Sequence, residues 1–252
     1  MRILALLFLF LPLVVSAQES EAEGFTADRP GATTGVEVLP KGRLQWETGF
    51  GWERSRISGE AATTIWTLNT SLLRFGISES AELCFQAERL LMTYGGYREG
   101  GFANVAIGTK MKLFEGWKAV PVVSMQANVL VPGGKDATFL PEVWGGQLGL
   151  LFQNQLTPWL SLGYEGDLLW YDDSRPMAFY GVSLGFQLTD RLLLCAEEYN
   201  EYTRDGTSSW IDIGIGWQVA RRVQLDIGSD FSLNHFGKYH SLMIGMAWQI
   251  TK

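Results

Sequence analysis

Charged side chains recur in this chain at alternate positions of otherwise apolar segments. The carboxylates Glu47, Glu82, Glu165, Asp167, Glu197, Asp212 and Asp226 fall on the polar side of that alternation, as do the bases Arg74, Lys110 and Lys112. In an extended chain residues two apart point the same way, so these groups share one face. Two kinds of chemistry are open to such a face. Opposite charges packed into a narrow interior pair with one another and satisfy each other's hydrogen bonds. Along a water-filled passage, the same acidic excess attracts cations or polar solutes. The residues leave both open, because the difference is whether water fills the centre.

Covalent chemistry finds little support. Gly181-Val182-Ser183-Leu184-Gly185 matches the G-x-S-x-G pattern of esterases. That pattern works only on a sharp strand-to-helix turn, whereas here it lies within an alternating stretch. A lipase-like triad would need a histidine, and only His235 and His240 exist, with Ser232 and Asn234 as sequence neighbours. Groups adjacent in a loop rarely converge on one triad. Two histidines also fall short of a metal-ligand set. The Gly-rich runs around Gly95 and Gly133 lack the Lys and Ser/Thr of a phosphate loop. The residues therefore predict no catalytic group, no metal and no cofactor.

The elements that carry these charges are strands. In Trp210–Val219, Ile211, Ile213, Ile215, Trp217 and Val219 alternate with Asp212, Gly214, Gly216 and Gln218. Leu44–Glu53 and Leu242–Ile250 repeat the pattern. One face is greasy and the other mostly Gly, Gln, Asp and Glu, where a soluble sandwich would show Lys, Thr and Ser. This suits a closed barrel with lipid outside and small or polar groups inside. Turn signals predict about twelve strands, near 43–54, 63–76, 81–90, 101–114, 118–131, 143–154, 159–170, 177–188, 192–200, 208–219, 223–232 and 240–250. Short turns, such as Ile77–Ser80 and Ala220–Arg222, fall on one side. Longer connections, such as Leu91–Gly101 and Pro132–Glu142, fall on the other, with both chain ends on the short-turn side.

Aromatic residues support that placement, since Trp and Tyr favour the lipid–water boundary. Phe75, Phe114, Trp117, Phe152, Trp159, Phe186, Trp217 and Trp248 sit beside the short turns. Trp52, Trp66, Trp170, Tyr180, Trp210 and Phe231 sit beside the long loops and read as a second girdle.

Met1–Ala17 has the charge (Arg2), the apolar run and the small-residue site of a secretory signal cleaved after Ala17. Beyond it no apolar run reaches the roughly 18 residues that a spanning helix needs. The chain carries 46% hydrophobic and 19% charged residues and a formal net charge of −7; without Arg2 the balance is 19 bases against 27 acids, or −8. Lacking a basic stripe, it is not expected to bind nucleic acid. Cys84 and Cys195 would lie on opposite walls, too far apart to bond. Gln18–Pro40 does not alternate and is expected to be either a periplasmic leader or a segment folded into the barrel mouth. The domain reading is thus a signal at 1–17, a leader or plug at 18–40 and a barrel at 41–252.

Thr26-Ala27-Asp28-Arg29-Pro30 and Pro40-Lys41-Gly42-Arg43-Leu44-Gln45-Trp46-Glu47-Thr48-Gly49-Phe50 resemble the N-terminal signature of the outer-membrane barrel family named for the MetA pathway of phenol degradation. Leu72–Gly76 with Ala81–Leu83, Gly108–Lys112 and Leu225–Gly228 extend the resemblance over most of the chain. It implies a transporter or channel for small, aromatic or hydrophobic, molecules. It also implies that Asp28, Arg29, Glu47, Arg74, Glu82, Lys110 and Asp226 are signature polar positions, structural or lumenal. The C-terminus departs from many barrels, ending Trp248-Gln249-Ile250-Thr251-Lys252 rather than on an aromatic residue.

The combined expectation is a transmembrane antiparallel up-and-down β-barrel in the outer membrane of a Gram-negative bacterium. It would be a monomer, inserted by the barrel-assembly machinery, surrounded by outer-membrane lipid and passing small solutes passively. The alternative is a closed, plugged barrel with a structural or interaction role.

Overall fold

The computed structural model describes residues 25–56, 61–134, 137–171, 176–204, 206–235 and 237–251. The expected signal at 1–17 and the first part of the leader, 18–24, lie outside the described residues. Twelve strands follow one another in chain order: β1 Leu44–Ser55, β2 Thr63–Ser78, β3 Ala81–Tyr94, β4 Tyr97–Phe114, β5 Val122–Leu130, β6 Gly145–Thr157, β7 Leu160–Tyr171, β8 Met177–Thr189, β9 Leu192–Thr203, β10 Gly206–Ala220, β11 Val223–Ser232 and β12 Tyr239–Gln249. Each pairs antiparallel with its neighbours in sequence, and β1 pairs with β12 to close the barrel. Closure leaves no sheet edge, so every strand can donate and accept on both sides, as a backbone surrounded by lipid must.

Alternation sorts the side chains as the composition demands. Across β10, β11 and β12 the partners Ile215, Ile227 and Ile244 form an apolar row on the outside, continued by Phe50 on β1. On the inside the fully buried side chains include Arg74, Lys110, Gln45, Glu47 and Glu82. A soluble protein would invert this arrangement.

The outer surface is not uniformly apolar. Trp46, Thr48, Asn69 and Ser71 point outward together and satisfy one another: Trp46 Nε1 donates to Ser71 Oγ at 3.3 Å, Ser71 Oγ to Asn69 Oδ1 at 2.8 Å, and Asn69 Nδ2 to Thr48 Oγ1 at 2.8 Å. Lipid offers no partners, so the groups must supply their own. A bulge shifts the register of β2 between Thr67 and Asn69 against β3.

The strands differ from expectation at three connections. Between β9 and β10, expected to end at 200 and to begin at 208, pairing continues to Thr203 and Gly206. Leu91–Gly101 is not a loop: β3 and β4 continue to a two-residue turn at Gly95-Gly96, both at positive φ (56° and 90°). Paired left-handed residues match the twist of a tight hairpin, which two glycines permit. Glu115–Trp117, conversely, is not a tight turn. Trp117 and Val120 form their own bridge, and β5 begins only after Pro121, which has no N–H to give a ladder.

Candidate functional site

Residues 25–40 lie inside the barrel and make a circuit of its wall. Asp28 N donates to both oxygens of Glu47 on β1, at 3.2 and 3.1 Å. Arg29 pairs with Asp226 on β11, with Nη2 3.0 Å from Oδ1. Ala32 N and Thr33 N donate to Glu197 Oε2 on β9 at 2.7 and 2.9 Å, and Thr33 Oγ1 donates to Oε1 at 2.9 Å. Thr34 N donates to Glu165 Oε2 on β7 at 3.0 Å. The segment then returns past Ser124 on β5, which donates to Val36 O, and ends with Leu39 N on Glu82 Oε2 of β3 at 2.6 Å.

This pattern explains how a segment without alternation can sit in the lumen. A chain outside the sheet has no ladder for its backbone groups, and burying them unpaired is costly. Here wall carboxylates take the ladder's place as acceptors, and hydrogen bonds to a charged group contribute about 1.5–3 kcal/mol each. Val36 and Leu39, each 2% exposed, bury the segment's apolar side chains.

Room for the segment comes from wall glycines. An added Cβ at Gly49 would fall 2.7 Å from Arg29 Nη2, and one at Gly245 would collide with the same guanidinium. At Gly214, on β10 of the same stretch of wall, a Cβ would lie 2.8 Å from the Pro30 ring.

The cations cluster on one side. Arg74, with no exposed side-chain area, donates Nε to Glu82 Oε1 at 2.8 Å, Nη1 to Glu47 Oε1 at 3.0 Å and Nη2 to the Glu37 carbonyl at 2.9 Å. Lys110 Nζ spans Asp28 Oδ1 at 2.8 Å, Asp28 Oδ2 at 2.9 Å and the Gly35 carbonyl at 2.9 Å. Lys112 pairs with Glu37 at 2.8 Å and Glu115 at 3.3 Å. Burial alone would raise the Asp28 carboxyl. Arg74 and Lys110 beside it outweigh that and hold it below the ordinary carboxylate range.

The sequence-derived positions thus divide into three groups. Asp28, Glu47, Arg74, Glu82 and Lys110 join one network of ion pairs, and Arg29–Asp226 and Lys112–Glu37 add separate pairs that also grip the lumenal segment. Glu165 and Glu197 hold its backbone without a cation. Asp167 accepts from Gln126 and Gln147, and Asp212 lies beside Glu197 and Asp230 on neighbouring strands.

On the long-loop side of the segment the lumen holds two adjoining cavities of about 560 and 360 Å³ that share Thr34, Gln126, Asn128 and Glu201. Their walls carry groups that the sequence reading omitted, including Glu53, Glu88, Glu201 and Asp230. Parity could have found them: each lies four or six residues beyond a carboxylate already placed inside, Glu47, Glu82, Glu197 or Asp226.

Trp210 is a correction. It does not belong to the outer girdle but shares the inward face of Asp212 and packs between Tyr199 (centroids 6.2 Å) and Tyr239 (4.5 Å, edge-on). Position beside a long loop suggested lipid; the two-residue step from Asp212 dictates the lumen.

The remaining motifs stay inert in this geometry. Ser183 sits mid-strand opposite Gly163 and Glu197, not on a turn. It is the backbone amide of His235, not its ring, that meets Ser232 Oγ at 3.2 Å. Cys84 and Cys195 are free thiols on β3 and β9, half a barrel apart.

Solved structures share this architecture. The COG4313 outer membrane channel from Pseudomonas putida F1 superposes with a TM-score of 0.67 at 12% identity, covering 88% of this chain and 99% of that one. The KdgM porin in complex with disordered oligogalacturonate gives 0.52 at 8% identity, over 82% and 99%. The translocator domain of the autotransporter NalP from Neisseria meningitidis gives 0.52 at 14% identity, over 84% and 90%. No curated protein matches the sequence. The fold is that of an outer-membrane barrel. A family model described as "Putative MetA-pathway of phenol degradation" matches residues 27–249, and the chain belongs to that family.

Proposed function

We propose that this protein is an outer-membrane channel through which small molecules diffuse passively, down their gradient and without covalent chemistry. The observation that carries this reading is the pair of polar cavities, about 560 and 360 Å³, inside a barrel whose greasy surface faces outward. The barrel works as a monomer in outer-membrane lipid, delivered by a signal cleaved after Ala17 and inserted by the barrel-assembly machinery. The family's association with phenol degradation makes small aromatic or hydrophobic compounds the first solutes to test. Residues 25–40 then act as the gate, since a solute passing between the two mouths must pass or displace them.

The lumenal segment also favours a second reading, a closed barrel with a structural or interaction role. One experiment separates the two. Purified full-length protein in planar bilayers and liposomes should conduct and should speed solute entry over protein-free vesicles. Persistent absence of both, with the barrel shown to be inserted, leaves the closed reading.

A further inference from the structure

The outer surface is asymmetric in charge. Of the described bases outside the lumen on the long-loop side, Arg54, Arg56, Arg89, Arg98 and Lys238 stand on or beside β1, β3, β4 and β12, along one continuous arc of wall that runs β12–β1–β2–β3–β4. Only Arg204, in the β9–β10 turn, lies elsewhere.

Parity places these side chains. Glu53 lines the larger cavity, so Arg54 faces out, two residues beyond Trp52. Arg54 is the direct partner of His240 and of Thr64, Thr64 of Thr93, and Thr93 of Arg98. At strand spacing these five residues span about 19 Å of outer surface in one row. The row below it is Leu242, Trp52, Trp66 and Leu91, part of the aromatic boundary of the lipid band. Bases and hydroxyls therefore begin where the girdle ends. Strands of such barrels tilt by about 35–45°, so the row slants through the head-group layer of the outer leaflet.

Arg89 is an independent observation. It shares the outer face of β3 with Leu91 and Thr93, two residues on the lipid side of Leu91, and its partners are Asn69 on β2 and Phe102 on β4. Its guanidinium carbon lies 5.2 Å from the centroid of the Phe102 ring. An arginine at the lipid border is costly unless an opposite charge meets it. Arg54, Arg56, Arg89 and Arg98 are all exposed, and none forms an ion pair among the described residues. From Trp52 upward the outer face of these strands carries no carboxylate among the described residues either. The counter-charge has to come from outside the chain. Elsewhere the same border is self-sufficient: on β9 and β10, Ser209 Oγ donates to Asn200 Oδ1 at 2.6 Å, and no base stands beside them.

The chemistry of the arc selects phosphate. A guanidinium fork pairs bidentately with phosphate oxygens, and the hydroxyls of Thr64 and Thr93 and a ring N–H of His240 are further donors in the same row. A zwitterionic head group brings its own cation and leaves the arginines unpaired. A phosphorylated sugar lipid brings anions alone. The chain as a whole carries a net charge of −7, so its attraction for such a lipid is confined to this arc.

We infer that the outer face of β12–β1–β2–β3–β4 holds the phosphorylated glycolipid of the outer leaflet, lipopolysaccharide, by its head-group phosphates. Arg54, with Arg56 and His240 beside it, grips one phosphate, and Arg89 and Arg98 hold others along the same slant. This rests on the outer-membrane fold and not on the channel reading.

Lipid A with two phosphates, with one and with none differs in charge on a shared body, so native mass spectrometry of the full chain in non-ionic detergent tests the surface. The diphosphorylated form should bind at least about tenfold tighter than the form without phosphate, with the monophosphorylated form between them. Arg54→Gln, Arg89→Gln and Arg98→Gln combined should weaken it at least about tenfold, from roughly fivefold per base near an anionic head group. Arg191→Gln with Arg222→Gln, at the short turns, should leave it unchanged, with heat-modifiable gel migration showing each barrel intact. No binding, binding indifferent to phosphate, undiminished binding by the intact triple variant, or an equal loss in the short-turn variant would overturn the proposal. So would phosphatidylglycerol or inorganic phosphate bound as tightly as diphosphorylated lipid A, since the surface would then read anions in general. Planar-bilayer recording separates this from the channel reading: lipid A selectivity without conductance keeps the surface and removes the channel, and conductance without lipid A selectivity does the reverse.

Discussion

Arg29 is the strongest single handle on the lumenal segment, because its guanidinium pairs with the buried Asp226 of β11 and belongs to no strand. Nη2 lies 3.0 Å from Oδ1, Nε lies 3.3 Å from both oxygens, and the Asp226 side chain is 1% exposed. Replacing Arg29 by alanine removes the countercharge and leaves Asp226 buried alone while the segment is seated. Breaking a buried pair this way costs about 3–5 kcal/mol. When the segment is displaced, water reaches Asp226 and that cost disappears, so the whole loss falls on the seated state. At about 1.4 kcal/mol per tenfold, the lower figure raises the displaced population on the order of 100-fold. Single-channel recording should show this as a longer open fraction, and hydrogen exchange as faster exchange of the Ala32, Thr33 and Thr34 amides. The barrel itself should unfold at the same denaturant concentration. Asp226→Asn in the Arg29→Ala background should add less than it does alone, since the two residues share one interaction. If Arg29→Ala exchanges and gates like the parent protein, the ion pair does not hold the segment and the reasoning fails.

Three further outcomes follow from the same geometry. Glu197→Ala removes the acceptor for Ala32 N and Thr33 N and should destabilise the seated segment by about 2–6 kcal/mol, at about 1–3 kcal/mol for each stranded donor; unchanged exchange of those two amides would contradict it. Ile227→Arg, in the middle of the outer apolar row, should cost about 2–4 kcal/mol in lipid. Urea unfolding in vesicles reads this directly, and a neutral effect would mean that this face does not meet the bilayer. The Asp28 carboxyl, held below its ordinary value of 3.8, contributes stability that is fully present above that value and is lost as pH falls through the folded-state value. The difference in segment stability between the parent and Asp28→Asn, from hydrogen exchange, should stay constant from neutral pH down to about 5 and shrink only in stronger acid. A difference that already shrinks near neutrality would contradict the placement of Arg74 and Lys110 around it.

The barrel was legible because lipid imposes a simple rule on every strand. Ile211, Ile213, Ile215 and Trp217 must face out, and Asp212, Gly214 and Gly216 must then face in, whatever the neighbouring strands do. Closure and strand number follow from the turns. Where pairing continued beyond the membrane, as at Leu91–Gly101, no apolar run announced it, and only the Gly95-Gly96 pair carried the signal. The path of residues 25–40 was not legible at all. Asp28 and Arg29 stand out as polar positions, but their partners Lys110 and Asp226 lie 82 and 197 residues away, and nothing local encodes such distant contacts. Trp210 shows the converse error: parity with Asp212 placed it inside, and proximity to a loop was allowed to outweigh parity.

Why the wall is acidic where it is follows from these two readings together. Glu47, Glu82, Glu165 and Glu197 are committed to backbone amides of the lumenal segment, so their negative charge does structural service and does not depend on a solute. Cations of the wall then neutralise the part of that charge nearest β1 through β4, where Arg74 and Lys110 stand. Nothing comparable reaches Asp167, Glu201 or Asp230, although the same strands could carry a lysine there at no cost in alternation. A lumen needing only mutual satisfaction would balance its charges on both sides, because an unpaired buried carboxylate lowers stability. The imbalance therefore separates a half of the interior whose charges serve the grip on the segment from a half whose carboxylates line the cavities of about 560 and 360 Å³.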